Sequence, residues 1–204
     1  MAKSIGAVHS HFWNSNQLRK IKALPLHHYN RAHETRKHAQ AFLRDCRFLL
    51  TKKDFKRILY YLSTIAQALR QAKKRPITLV HGDLRADNLL LTRSKVFIVD
   101  WQIAARGLGA FDLARVIGGS SARPLTIRDQ HKLVGFWHQT LRQGGVRGYN
   151  LSDAWRDYRI GVALTLSIPI TNGPTLVQLS PRGRKIARLM VRRFFQNAET
   201  ILGI

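Results

Sequence analysis

The chain has 204 residues and carries 35 Lys plus Arg against 11 Asp plus Glu, a formal charge of +24 with a pI near 11.5. One compact unit of this size buries roughly 70% of its unfolded surface, so disulfides are not needed, and the single Cys46 has no partner for one. With 45% apolar residues and four Trp, the chain is too hydrophobic for a disordered basic tail.

In chain order, Met1 is followed by no apolar signal core. Apolar positions then recur at helical spacing over residues 32–50 (Phe42, Cys46, Leu49, Leu50) and 53–73 (Ile58, Leu62, Ile65, Ala66, Leu69), which predicts an antiparallel helix pair closed by Pro76. After Pro76 the pattern changes to Ile77, Leu79 and Val80, then a His-Gly-Asp turn. Apolar runs at 89–91 and 96–99 flank the polar residues 92–95 and predict a β-hairpin. From Ala110, helices are predicted over about 110–118, 126–143, 152–167 and 183–202. The breakers are Gly144, Gly145, Gly148 and the turn Asn172-Gly173-Pro174. The longest apolar stretch, 160–170, is about half the roughly 20 residues of a spanning helix, so a soluble cytoplasmic protein without a membrane partner is expected. The fold class expected is α+β, mostly helical, with a small β insert.

Positive charge avoids the middle of the chain. Residues 76–122 hold five bases and four acids, whereas 1–30, 31–75 and 123–204 hold four, thirteen and thirteen bases against none, three and four acids. The four central acids are Asp83, Asp87, Asp100 and Asp112. In a chain so poor in carboxylates this cluster points to metal binding or acid/base chemistry.

The hairpin adds geometry. A turn centred on Ser94 pairs Leu91 with Phe97, Leu90 with Ile98, Leu89 with Val99 and, next out, Asn88 with Asp100. Residues directly opposite have Cα atoms about 4.5 to 5.5 Å apart, so an amide oxygen and a carboxylate converge. Mg²⁺ is commonly held by one or two protein oxygens, with water and substrate phosphates completing its shell. Asp83, five residues before Asn88, is placed to accept a proton from a nucleophile near the metal. An Asx turn or loop cap explains each residue singly; the three together favour a site.

The segment His81-Gly82-Asp83-Leu84-Arg85-Ala86-Asp87-Asn88, followed by Ile98-Val99-Asp100-Trp101-Gln102 and Gly107-Leu108-Gly109-Ala110-Phe111-Asp112-Leu113-Ala114, resembles the aminoglycoside phosphotransferase and choline kinase group. It is most similar to the ecdysteroid-kinase-like (CHK kinase-like) branch, because Asp-Trp-Gln stands where protein kinases have Asp-Phe-Gly. Residues 8–13 resemble the first helix of the group's large lobe, and 145–149 with 155–159 its later helices. The resemblance covers nearly all of 1–204, with 76–122 as the catalytic and metal-binding segment.

The resemblance implies a protein-kinase-like C-terminal lobe that transfers the γ-phosphoryl group of ATP, with Mg²⁺, to a hydroxyl of a small-molecule substrate. On the matched positions Asp83 orients or deprotonates that hydroxyl, while Asn88 and Asp100 are the cofactor-binding and metal-binding residues. Arg85 stands where a phosphate-contacting Lys often lies in protein kinases, with a surface arginine as the competing reading. His81 and Asp112 are structural supports of the catalytic loop. The group's small N-terminal lobe, with its phosphate-covering loop and β-strand Lys, has no counterpart before His81. The expectation is therefore the C-terminal lobe only, as a truncated reading frame, a partial gene model or a degenerate relic would all leave it; an in-frame extension upstream of Met1 would supply the missing lobe. Two other readings stay open: a catalytically inactive remnant acting as an interaction module, and a basic nucleic-acid-associated protein whose acids hold a nuclease metal.

Other signals carry less. Gly107-Leu108-Gly109 lacks the third glycine and βαβ setting of a dinucleotide loop, and 118–121 is not a nucleophile elbow. His33 and His38 are five residues apart, about 140° around a helix, whereas the zinc-protease motif needs four. His9 with His11, and His27 with His28, lack matching Cys or acid ligands. Arg182, Arg184, Lys185, Arg188, Arg192 and Arg193, interleaved with apolar residues, predict an amphipathic helix whose outer face binds polyanions non-specifically. Trp137, Trp155, Tyr158 and Arg159 are candidates for the acceptor pocket.

Overall fold

Polar residues just ahead of apolar-periodic runs set most helix starts in the computed structural model, which describes residues 1–27, 31–121 and 123–203. The elements are α1 (Ala2–His11), α2 (Asn16–Lys20), α3 (Arg31–Asp45), α4 (Lys52–Lys73), β1 (Thr78–Val80), β2 (Leu89–Leu91), β3 (Val96–Ile98), β4 (Ala105–Gly107), α5 (Ala110–Ser120), α6 (Ile127–Gln143), α7 (Leu151–Thr165), α8 (Ser167–Leu179) and α9 (Pro181–Leu202). Thr51 and Asn150 form capping boxes with Asp54 and Asp153, which start α4 and α7. Thr126 and Ser180 cap α6 and α9, and Pro181 fits the first position of α9, where its missing N–H costs nothing.

Helix α5 is the centre of the protein. Every residue from Ala110 to Gly118 is buried, because α5 packs on α7 and also meets α1 and α9. α7 approaches α5 closely at Gly161, where a Cβ would lie 2.7 Å from the Ala110 carbonyl oxygen. Around this pair, α1 packs on α6, α3 on α8, and α8 on α9. At the end of α4, Arg75 pairs with Asp153 at 3.0 Å and with the buried Asp157, whose other oxygen accepts the Tyr149 hydroxyl at 2.9 Å. This network ties α4 to α7.

Four expectations are corrected. The helix predicted over 32–50 stops at Asp45, and a single 3-10 turn over Arg47–Leu49 follows. The turn predicted at Asn172-Gly173-Pro174 lies inside α8. Pro174 cannot donate to the preceding turn, yet Gly173 lets α8 press onto Phe42 and Cys46 of the α3 segment, and that packing outweighs local propensity. Leu166, with φ −61° and ψ −21°, joins α7 to α8 almost helically, and Pro169 falls in the first turn of α8, where a missing donor is harmless. Leu151–Leu179 is thus 29 residues long, enough by length and composition to cross a membrane, contrary to the shorter stretch expected. Its most apolar window is 72% buried inside the protein, so that apolar surface is core.

The fourth correction is the hairpin register. β2 and β3 pair antiparallel with Leu89 opposite Ile98, Leu90 opposite Phe97 and Leu91 opposite Val96. Thr92 N–H donates to the Lys95 carbonyl at 2.9 Å, leaving Arg93 and Ser94 as a two-residue loop. The centre of the turn is half a residue earlier than a Ser94-centred turn, so every pair shifts by one. Asn88 therefore faces Val99, whose N–H donates to the Asn88 carbonyl at 3.0 Å, and Asp100 lies one step beyond the ladder. A second ladder, unanticipated from sequence, pairs β1 with β4, and Leu26 bridges to Arg106 beside it.

Candidate active site

The loop from His81 to Asn88 leaves β1 under tight backbone control. Gly82 has φ +84°, and a Cβ there would lie 2.8 Å from the Ile103 carbonyl oxygen, so glycine is required. Asp112, fully buried in the first turn of α5, accepts the N–H of His81 at 2.7 Å on Oδ2 and the N–H of Gly82 at 3.0 Å on Oδ1. His9 Nε2 approaches the same Oδ2 at 3.3 Å, and the Trp137 indole N–H donates to His9 Nδ1 at 3.0 Å. With Nδ1 accepting, the hydrogen-bond pattern assigns the His9 proton to Nε2, where it donates to Asp112. A chain of partners from α6 and α1 thus holds the aspartate that holds the loop.

His81 is buried and braces the loop from within. Asp83 N–H donates to its Nδ1 at 3.2 Å, which leaves Nε2 to donate to the Val99 carbonyl at 2.9 Å. The ring of Trp101 lies 4.8 Å from that of His81, and its indole N–H donates to the Ile98 carbonyl at 2.9 Å. Loop and hairpin are joined through this pair.

The carboxylate of Asp83 emerges between two arginines. Arg115 Nη2 donates to Oδ1 at 2.7 Å, and Arg85 Nε lies 3.3 Å from Oδ2. Arg115 is almost buried, stacked 5.3 Å over the Phe194 ring, and burial pulls its pKa below the usual guanidinium value while Asp83 opposes that fall. Arg85 is more exposed and also donates to Asp87 at 2.7 Å. Oδ1 is therefore held by a buried partner, whereas Oδ2 faces a half-exposed one shared with Asp87. Ser120 completes the frame by accepting the Ala86 N–H at 2.9 Å.

Asn88 and Asp100 end up near the hairpin mouth, though not as a cross-strand pair. The Asn88 amide donates from Nδ2 to the Asp83 carbonyl at 2.9 Å, and among the described residues its Oδ1 accepts no hydrogen bond. Asp100 is exposed, has φ +66° and, among the described residues, makes no hydrogen bond or ion pair. A non-glycine residue in the left-handed region costs about 1 kcal/mol or more, and such strain concentrates at functional positions. Among the described residues no three Asp, Glu, His or Cys side chains converge as a metal cage. One amide oxygen and one free carboxylate instead fit a hard cation that keeps water and phosphate oxygens in its shell.

Sequence reasoning missed Arg115 and His9. A lone arginine inside the apolar run of α5 was the available signal for the first; His9 was considered only as a metal ligand. The acceptor-pocket candidates divide: Trp137 and Tyr158 are fully buried core residues, Trp155 stacks on His131, and Arg159 donates to the Ile201 carbonyl. His38 bonds the Glu34 carbonyl within α3, and His28 lies outside the described residues.

With this geometry, comparison with known proteins becomes informative. A model of a phosphotransferase enzyme family (APH) matches residues 16–159. Among solved structures, the crystal structure of choline kinase from Cryptosporidium parvum Iowa II superposes with a TM-score of 0.59 at 16% identity, covering 99% of this chain and 64% of that one. The chain thus spans less than two thirds of that kinase's length. At this identity the likeness establishes a protein-kinase-like fold. No curated protein sequence matches.

Proposed function

The chain belongs to the phosphotransferase enzyme family, and from that premise we propose that it carries the chemistry of an ATP- and Mg²⁺-dependent phosphotransferase acting on a hydroxyl of a small molecule. In this reading residues 1–204 form a kinase-like large lobe, with 76–122 as its catalytic segment. We assign it to the CHK kinase-like branch, on Asp100-Trp101-Gln102, and to the cytoplasm. The observation that carries the reading is Asp83, presented on a loop clamped by Asp112, with Oδ1 held by Arg115 and Oδ2 beside Arg85.

The acceptor hydroxyl gives its proton to Oδ2 of Asp83 as its oxygen bonds to the γ-phosphorus. The bond from that phosphorus to the β-bridging oxygen breaks, and ADP leaves. Arg115 keeps the carboxylate oriented, and Arg85, beside Asp83 and Asp87, would contact the transferred group. Asn88 Oδ1 and Asp100 would hold Mg²⁺, which, when bound, neutralises charge on the phosphate oxygens.

The test is transfer of label from γ-labelled ATP to a panel of small alcohols, with and without Mg²⁺. Asp83→Asn is expected to lower turnover by about 10²- to 10⁴-fold, the usual worth of a positioned base. Asn88→Ala and Asp100→Ala should each abolish Mg²⁺-dependent turnover. Unchanged rates in Asp83→Asn, or no nucleotide binding by the wild type, would leave the interaction-module reading in its place. Metal-dependent nucleic-acid cleavage that survives Asp83→Ala would favour the nuclease reading.

A further inference from the structure

Helix α9 gives one apolar face to the core through Ala187, Val191, Phe194, Phe195 and Ala198. Its outward face carries charge of a single sign. Residues 181–198 hold Arg182, Arg184, Lys185, Arg188, Arg192 and Arg193 and no acid. Five of the six are exposed, and Arg193, half-buried, donates to the Gly119 carbonyl at 2.9 Å. Among the described residues none of the six forms an ion pair, and the one acid of α9, Glu199, is held by Lys53 and by Arg57 at 2.7 Å. Acids of neighbouring elements are engaged too. Asp45 is held by Arg44 at 2.7 Å and by Gln178 of α8, and Asp129, on which Arg123 also acts, by the Thr126 hydroxyl at 2.8 Å.

Aliphatic side chains stand among these cations. Leu189 is 48% exposed and Ile186 44%. Residues three and four apart share a helix face, so Leu189 is framed by Lys185, Ile186, Arg192 and Arg193. Leu189 and Arg192 also line one cleft with Arg123 and Pro124, so the face continues onto the segment between α5 and α6. The core is made by the opposite face of α9 and does not need these aliphatics. Nucleic acid has little use for them either. A phosphate backbone draws on cations, and single strands stack bases on aromatic rings, whereas the two aromatics of α9, Phe194 and Phe195, are buried. An anionic bilayer engages both kinds of side chain. Guanidinium groups pair with headgroup phosphates while the aliphatic side chains between them enter the boundary of the acyl region.

We propose that the outer face of α9 is a peripheral docking surface for a bilayer that contains anionic phospholipids. Clusters of about four to eight basic residues on an amphipathic helix attach to the negatively charged cytoplasmic leaflet in this way. Attachment through headgroups needs no spanning segment, the one membrane signal that hydropathy along the chain reads, so the expectation of no membrane partner is revised. None of the residues of this face belongs to the candidate active site, and docking does not depend on phosphotransfer.

The experiment sediments the full chain with vesicles of phosphatidylcholine alone and of phosphatidylcholine with about 30% phosphatidylserine. Binding to the anionic vesicles only is expected. At about fivefold per basic residue near the surface, Arg182→Gln/Arg192→Gln should weaken it roughly 20-fold. Ile186→Asn/Leu189→Asn leaves every charge in place and should weaken it about tenfold. Lys52→Gln/Lys56→Gln removes the same charge from exposed positions on α4 and should leave binding within about twofold of wild type. Fluorescence gives a second readout. An environment-sensitive dye attached at Leu189→Cys should shift to the blue on the anionic vesicles, with Cys46 buried and unlabelled. Equal weakening by the two charge variants, full binding by Ile186→Asn/Leu189→Asn, or an unshifted dye each overturns the proposal and leaves only general attraction to a charged surface. Binding to duplex DNA that is tighter than to the anionic vesicles, and lost in Arg182→Gln/Arg192→Gln, overturns it in favour of nucleic acid.

Discussion

Asp112→Asn isolates the clamp on the catalytic loop, because it preserves side-chain volume and changes only hydrogen-bonding chemistry. The native carboxylate receives three donors, two on Oδ2 (His81 N–H and His9 Nε2) and one on Oδ1 (Gly82 N–H). In the better amide orientation the remaining oxygen keeps the first two, and the new NH₂ group meets the Gly82 N–H donor to donor. One backbone donor and one amide donor are then buried without acceptors. At about 1 to 3 kcal/mol for each unsatisfied buried group, the two groups give an expected loss of roughly 2 to 6 kcal/mol, a large part of the about 5 to 15 kcal/mol that holds a domain folded. Urea unfolding monitored by circular dichroism measures the loss, and hydrogen exchange at His81 and Gly82 locates it. Both amides should be protected in the wild type, and Gly82 should exchange much faster in the variant. A loss below about 1 kcal/mol with Gly82 still protected would refute the clamp.

Gly161→Ala sets helix propensity against packing. Alanine favours a helix by about 1 kcal/mol, but its Cβ would lie 2.7 Å from the Ala110 carbonyl oxygen, so a net loss of about 1 to 3 kcal/mol in urea unfolding is expected. Cys46 is fully buried, and burial pushes its thiol up to about 11. Thiol labelling at pH 8 should therefore be negligible in the folded protein and rapid in urea. At the start of α6, the Thr126 hydroxyl holds the Asp129 carboxyl below its usual 3.8. A lowered folded pKa gives stability that is present above the unfolded value and lost as pH falls through the folded one. Asp129→Ala should consequently cost stability at pH 7, and its difference from wild type should shrink below about pH 4. A difference independent of pH would show that the carboxyl charge plays no part in the cap.

Local signals in the chain carried much of the fold. Thr51, Thr126, Asn150 and Ser180 stand where helices begin, and the alternation of apolar runs with residues 92–95 announced the hairpin. Asp83, Asn88, Asp100 and Asp112 were legible as a cluster because they crowd a short segment of a carboxylate-poor chain, and residues 81–114 carried the family resemblance. Each of these signals spans a few residues, the range over which propensity and spacing act.

What tertiary structure alone decided lies at longer range. Asp83 and Arg115 are 32 residues apart and His9 and Asp112 are 103 apart, so no periodicity couples them. They meet because α5 is buried on every side and must satisfy its two charged residues against whatever packs on it. The hairpin register turned on one residue of loop length, a choice made by backbone hydrogen bonding between Thr92 and Lys95, and it carried Asp100 off the ladder into a left-handed conformation. Pro174 stayed inside α8 because packing against Phe42 outweighed a lost hydrogen bond. The amino-acid sequence fixed which residues carry chemistry; burial and long-range hydrogen bonding fixed which of their atoms are restrained and which remain free.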